Sequence, residues 1–218
     1  MPTQTKENYL KALYHLHQRS AEISITDLGQ SLGLSKPSVN DMVKKMHQAG
    51  WLEYERYKPI RLTRLGLKHA AMVIRKHRLA EMFLVQIMGF GWEEVHDIAE
   101  ELEHLDSKKL FNRMDQLLGF PHVDPHGSPI PDKQGNFSKN NYKTIAECKV
   151  GETVALRALK DSSSDFLIFL NKKGLQLGTL LNIVHVEPYD QSINVTVGKD
   201  QTMVFSEKVA KKLLVETV

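Results

Sequence analysis

A single cysteine, Cys148, stands in the 218 residues, so no internal disulfide can form and the chain suits a reducing compartment. Cys148 itself reads as a small buried hydrophobe in a strand. No window approaches the ~20 apolar residues that a membrane span needs, so no membrane partner is expected. The opening MPTQTKENYL is polar, with no basic start and no apolar run behind it, so no secretory signal is visible and a cytoplasmic protein is expected. Neither sign of charge dominates: the net charge is +3, with 41% hydrophobic and 25% charged residues. That composition is ordinary for a globular chain, and the length allows two or three small domains.

The small net charge conceals a segregation. Residues 1–75 hold twelve Lys/Arg against six Asp/Glu, residues 76–120 hold five against nine, and residues 121–218 hold twelve against eleven. A basic first third suits a phosphate backbone and an acidic middle suits cations. A solvated surface is the bland alternative for either imbalance.

Residues Lys6 to His17 carry Tyr9, Leu10, Leu13 and Tyr14 at helical spacing. Thr26 reads as the cap of a second helix that stops at Gly33, and Ser35 as the cap of a third that ends at Ala49-Gly50. Two short helices joined by a glycine-containing turn make a helix-turn-helix pattern. Trp51–Tyr54 and Ile60–Thr63 then read as two strands turning at Lys58-Pro59, which completes a winged helix. Ser35, Lys36, Pro37, Ser38 and Asn40 open the third helix and can approach base edges or phosphates in a major groove. Arg56, Lys58 and Arg61 form a basic wing for the backbone. A helical hairpin used only for protein contact is the alternative.

From Thr63 a long helix runs to about Met88, and another from about Glu93 to Leu105. His77 and Glu81 share a face of the first. On the second, His96, Glu100, Glu103 and His104 fall within an arc of roughly 100°, beside an apolar face of Ile98, Ala99, Leu102 and Leu105. Singly, each is better read as a core histidine or a solvated acid. Together, on the edge of a buried face, imidazole and carboxylate make a donor set for manganese, iron or zinc.

Three segments carry a resemblance: Lys76-His77-Arg78-Leu79-Ala80-Glu81, Val95-His96-Asp97-x-Ala99-Glu100-x-x-Glu103-His104, and Asp124-Pro125-His126-Gly127-x-Pro129-Ile130-Pro131. In this order, over essentially the whole chain, they resemble the diphtheria toxin repressor family of metal-dependent transcriptional regulators. The likeness is to its manganese-responsive members with a C-terminal SH3-like domain. It implies a metal-activated repressor of metal-homeostasis genes that binds palindromic operators as a homodimer, not an enzyme. It also implies a primary metal held by Asn8, Glu100, Glu103 and His104. Manganese-responsive members place Glu where this chain has Glu100, and iron-responsive ones often place Cys. Mn²⁺ is therefore expected, with Fe²⁺ as the alternative and Zn²⁺ or Co²⁺ substituting in vitro. The first-helix ligand is commonly Asp or Met, whereas here it is Asn8, with Glu7 as an alternative about 100° away. Lys11 stands where some small manganese regulators have another acid, which argues against their close two-metal arrangement. An ancillary site is implied at Glu81, Asp124, His126 and Asp165, with His77 and His96 as alternates. A plain turn is the alternative for Asp124-Pro125-His126-Gly127.

Ser107 reads as the cap of a further helix with Leu110, Phe111, Met114, Leu117 and Leu118 on one stripe. With Phe83–Met88 it can build a dimer interface or an ordinary core. His122–Tyr142 reads as a linker. Beyond it, Thr153–Leu159, Leu180–Val186, Ile193–Val197 and Met203–Phe205 read as strands and Asp165–Asn171 as a short helix. The expected fold is mainly α with a small all-β domain. It comprises a winged helix-turn-helix domain (1–74), a helical metal-binding and dimerisation domain (75–140) and an SH3-like barrel of the ferrous-transport-accessory type (141–218). Two rivals remain: a helix-turn-helix regulator sensing an organic ligand, and a di-metal carboxylate oxidase. The oxidase needs its Glu-x-x-His motifs on two facing helices. Both copies here, Glu93–His96 and Glu101–His104, fall on one.

Overall fold

Helix α1 (Gln4–Arg19) forms where Tyr9, Leu10, Ala12 and Leu13 recur on one face, and all four are buried. A computed structural model describes residues 3–20, 22–198 and 201–218 of the chain. Helix α2 (Ile25–Leu32) is capped by Ser24 rather than by Thr26. The reason is a reciprocal capping box: Ser24 Oγ accepts from the Asp27 amide at 3.1 Å, and Asp27 Oδ2 accepts from the Ser24 amide at 3.1 Å. Gly33 ends α2 at φ 65°, a left-handed conformation that costs glycine nothing. Helix α3 (Lys36–Gln48) starts from Ser35 with Pro37 in its first turn.

Strands β1 (Leu52–Glu53) and β2 (Arg61–Leu62) pair antiparallel, with Leu52 opposite Leu62, and an Ile23–Ile60 bridge ties the hairpin to the chain before α2. Leu13, Leu28, Val43, Met46, Leu52 and Ile60 close one core beneath this winged helix-turn-helix. Helices α4 (Arg64–Gln86), α5 (Val95–Leu102) and α6 (Lys108–Leu117) follow. Helix α5 is shorter than its hydrophobic pattern implied. Glu103 still donates its amide to Ala99 at 2.9 Å, but Leu105 closes a tighter turn on Leu102 at 3.0 Å, and Ser107 caps α6. Glu103 and His104 therefore sit in the turn after α5.

The stretch read as a linker is ordered by its own polar residues. Asp132 Oδ1 accepts from the amides of Gln134 and Asn136, both at 2.8 Å, and Phe137 stacks on Tyr14 with ring centroids 4.9 Å apart. After it comes an antiparallel sheet of β3 (Lys143–Thr144), β4 (Thr153–Leu159), β5 (Leu180–Val186), β6 (Ile193–Val197), β7 (Gln201–Phe205) and β8 (Leu213–Thr217). The spatial order is β3-β8-β4-β5-β6-β7, with register shifts after Leu156 and Ile183 that curve the sheet into an SH3-like unit. Helix α7 (Ser164–Lys172) buries Phe166, Leu167 and Leu170 in the same core as Leu156, Ile183 and Val215. The sequence reading lacked β3 and β8, although β8 holds the place beside β4.

The chain divides into two compact units. The first runs to Ala80 and takes in Ile98–His122 and Ile130–Ser138. The second comprises Glu81–Asp97, Val123–Pro129 and Lys139–Val218. No helix among the described residues is long and apolar enough to cross a membrane.

Candidate metal centres and DNA-reading surface

In the first unit, α1 and the turn after α5 bring a set of acids, histidines and lysines together. Glu103 is completely buried. The Lys11 ammonium donates to both of its oxygens, at 2.8 and 2.9 Å, and also to Glu100 Oε1. His77 Nδ1 lies 2.7 Å from Glu103 Oε2, and since a carboxylate only accepts, this nitrogen is the donor. Burial alone would raise the Glu103 carboxyl, but the His77 hydrogen bond and the Lys11 charge outweigh it and hold it below the usual glutamate range.

Glu7 is engaged elsewhere. Its Oε2 lies 2.7 Å from His104 Nδ1 and its Oε1 lies 3.2 Å from Lys76 Nζ. A carboxylate on Nδ1 fixes the tautomer of His104 and leaves Nε2 as the coordinating atom, the arrangement that orients a metal-ligating histidine. That Nε2 lies 3.6 Å from Glu103 Oε1. Asn8, three residues before Lys11 and so on the same face of α1, has a buried side-chain oxygen with no hydrogen-bond partner among the described residues. A buried acceptor left unpaired costs free energy, and a cation would relieve it.

The second unit holds Glu81, Asp124 and His126, all buried, with one ligating atom from each lying within 4.8 Å of the others. Asp124 Oδ1 accepts from the amides of His126 and Ser128 at 2.8 and 2.9 Å, so the Asp-Pro-His-Gly stretch is a turn as well as a possible ligand source. Only glycine fits at 127: φ is 84°, and a Cβ would stand 2.2 Å from the Arg157 carbonyl oxygen. His126 Nδ1 is 3.9 Å from Glu81 Oε2, and His96 Nδ1 is 3.5 Å from Glu81 Oε1. Asp165 is exposed in the first turn of α7 and is not among the three clustered residues. His77, expected as an ancillary alternate, is bonded to Glu103.

Around the first turn of α3 the surface is open and basic. Ser35, Lys36, Pro37 and Ser38 are exposed, and Ser35 Oγ lies 3.0 Å from Ser38 Oγ. Tyr54 donates its hydroxyl to Asn40 Oδ1 at 2.6 Å, so the oxygen is engaged and the amide nitrogen is the group left to donate. Lys36, Asn40, Lys44, Arg56 and Lys58 line a groove of about 1180 Å³. In the wing, Lys58 pairs with Glu55 at 2.6 Å and the Arg56 guanidinium lies over the Tyr57 ring, 4.9 Å from its centroid, while Arg61 is exposed.

Sequence reasoning did not find Lys44 in the groove, nor the contacts of Lys76 and His104 with Glu7. Glu7 was expected as an alternative ligand and Lys11 only as the replacement of an acid; helical spacing does not encode that they become partners of His104 and Glu103.

Comparison with known proteins matches three segments. Residues 1–60 match the model of the iron dependent repressor N-terminal DNA binding domain, and residues 63–132 that of the iron dependent repressor metal binding and dimerisation domain. Residues 143–217 match the FeoA domain. The diphtheria toxin repressor of Corynebacterium glutamicum is 33% identical over 192 residues, covering 83% of this chain and 84% of that protein. The iron-dependent repressor IdeR of Mycobacterium tuberculosis is 36% identical over 127 residues, 58% of this chain. That match spans only about half, 55%, of the mycobacterial protein's length. Among solved structures, a manganese-dependent transcriptional repressor in complex with manganese superposes with a TM-score of 0.87 at 28% identity, covering 98% of this chain and 100% of that one. ScaR with bound Zn²⁺ gives 0.78 at 33% identity, over 98% and 99%.

Proposed function

Because the chain belongs to the iron-dependent, or diphtheria toxin, repressor family of metal-dependent DNA-binding repressors, we propose that it binds palindromic operators as a homodimer when loaded with Mn²⁺, and so controls genes of metal homeostasis. Fe²⁺ is the second effector in this reading. The observation that carries it is the buried oxygen of Asn8, without a hydrogen-bond partner among the described residues, on the same helix face as the lysine that bridges Glu100 and Glu103.

Asn8, Glu100, Glu103 and His104 would hold the primary ion. The bond of Glu7 to His104 supports Asn8 over Glu7 in that set and suits Glu7 as the partner that orients the ring. Oxygen and imidazole donors without sulfur favour a hard ion, hence manganese. Glu81, Asp124 and His126 would hold an ancillary ion, with Asp165 proposed as a fourth ligand. When bound, the primary ion supplies positive charge that α1 and the turn after α5 share. The chain's own residues do the rest. Asn8 belongs to the first helix of the reading head, and Glu100, Glu103 and His104 to the segment outside it, so one shared ligand ties the two together. A head held this way samples fewer spacings of its recognition helix, which favours half-sites about one DNA turn apart. Ser35, Lys36, Pro37, Ser38 and Asn40 would read the groove while Arg56, Lys58 and Arg61 hold phosphates. Apolar side chains left exposed suit the dimer contact: Leu117 and Phe120 in the first unit, Ile87 and Met88 in the second. Operator DNA as the partner fits a cytoplasmic protein.

A DNA-binding assay across a panel of divalent metals, with and without chelator, tests this reading. Mn²⁺ and Fe²⁺ are expected to stimulate binding and chelator to reverse it. Binding indifferent to chelator would favour a sensor of an organic ligand instead.

A further inference from the structure

Within the second unit, Trp92 touches the His126 side chain in two ways. Its carbonyl oxygen lies 2.9 Å from His126 Nε2, and its indole lies against the imidazole with centroids 6.0 Å apart and planes 26° apart. A carbonyl can only accept, so Nε2 carries the proton, and in the neutral ring the free lone pair belongs to Nδ1. Nδ1 is the atom on the Glu81 side. At 2% exposure, His126 has no ready exchange of this partner for water. The backbone of Trp92 thus fixes which nitrogen of His126 is left to coordinate.

The same residue also reaches α7. Its indole Nε1–H donates to Asn171 Oδ1 at 2.8 Å, and the carbonyl of the next residue, Glu93, accepts from Ser164 Oγ at 3.0 Å. Ser164 and Asn171 stand near opposite ends of α7, about two turns apart. Residues 92–93 are therefore pinned to that helix at two points, while the Trp92 carbonyl orients a residue of the Glu81, Asp124 and His126 cluster.

We propose that Trp92 is a positioning residue for this cluster, and that its hydrogen bond to Asn171 couples cation binding at Glu81, Asp124 and His126 to the placement of α7. The proposal rests on reading the cluster as a divalent-cation site. Partners that orient a ligating histidine typically change metal affinity by about 10–100-fold when removed. Asn171 acts one residue further out, so the lower end of that range applies. Coupling of this kind is reciprocal, so the cation also strengthens the Trp92–Asn171 contact.

The test uses the full chain with Trp51→Phe, which leaves Trp92 as its sole indole. Mn²⁺ is titrated in while Trp92 emission is recorded, and bound metal per chain is counted from free Mn²⁺ by electron paramagnetic resonance. Two ions per chain are expected, with the emission change following the second and lost in His126→Ala. Asn171→Ala, at an exposed position that the fold tolerates, is expected to weaken the second ion by about tenfold and leave the first unchanged. Asn171→Asp keeps an acceptor and is expected to retain the parent affinity. Unchanged affinity for the second ion in Asn171→Ala overturns the coupling while the cation site stands. One ion per chain in the parent overturns the cation site and the proposal together.

Discussion

Lys11 Nζ lies 2.8 Å from Glu103 Oε1, and Glu103 is wholly buried, so the carboxylate central to the proposed primary site is neutralised by a cation from the chain itself. Charges taken out of water are tolerated only when paired and hydrogen-bonded, and removing one partner of a buried pair costs far more than the pair contributes. Among the described residues Lys11 and His77 both hydrogen-bond Glu103, and Lys11 reaches Glu100 as well.

Lys11→Met should therefore destabilise the metal-free protein by ~3–5 kcal/mol, because Glu103 and Glu100 lose their ammonium. Adding Mn²⁺ should return part of that loss. Thermal melts with and without Mn²⁺ measure both. The pH dependence has a definite sign. The folded Glu103 carboxyl lies below its unfolded value, so its contribution is present above the ordinary glutamate range and is lost as pH falls through the folded value. Lys11→Met should weaken that acid-side loss. A variant as stable as the parent would show that the Lys11–Glu103 pair carries no weight.

Asn8→Asp supplies a charge where the chain has only an amide oxygen. Mn²⁺ affinity should rise by about tenfold, equivalent to about 1.4 kcal/mol. Competition against a chelating dye reads it directly. An unchanged affinity would remove Asn8 from the site.

Arg61→Gln in the wing should lower the slope of log affinity against log salt by about one unit, for operator and unrelated DNA alike. Arg56→Gln should act similarly. A slope that stays where it was would take the wing off the phosphates.

Cys148 is buried, and burial pushes its thiol up to about 11. The folded value exceeds the unfolded one, so its contribution to stability is intact below the ordinary thiol range and declines as pH rises toward 11. Alkylation of the native protein at pH 8 should run many times slower than that of the unfolded chain. Comparable rates would contradict the burial.

The winged helix was legible because its signals are local: Ser35 and Gly33 punctuate, and the apolar residues of α1 and α3 recur at helical spacing. The candidate ligands Glu100, Glu103 and His104 could be singled out for the same reason, since they share one short segment. Most of what was not legible depends on distant partners, and one boundary on a choice between two neighbouring caps. The capping box at Ser24 outcompeted Thr26 only because Asp27 answers it. Strand β8 has no turn signal of its own and is defined by its pairing with β3 and β4. Glu7 looked like a poor substitute ligand on a helical wheel, and its actual partner, His104, lies 97 residues away. No periodicity could assign Trp92 to His126 and Asn171.

The central claim is that the acid buried beside Lys11 gates DNA binding through a divalent ion. Glu103→Gln keeps the shape of the side chain and removes its charge. Operator affinity should be measured by fluorescence anisotropy for the parent and for Glu103→Gln, each with chelator and with saturating Mn²⁺. In the parent, Mn²⁺ should tighten binding by roughly 5–150-fold, the usual range for coupled sites, and in the variant the gain should vanish while the protein stays folded and dimeric. A Glu103→Gln protein that matches the parent under both conditions would contradict metal gating through this site.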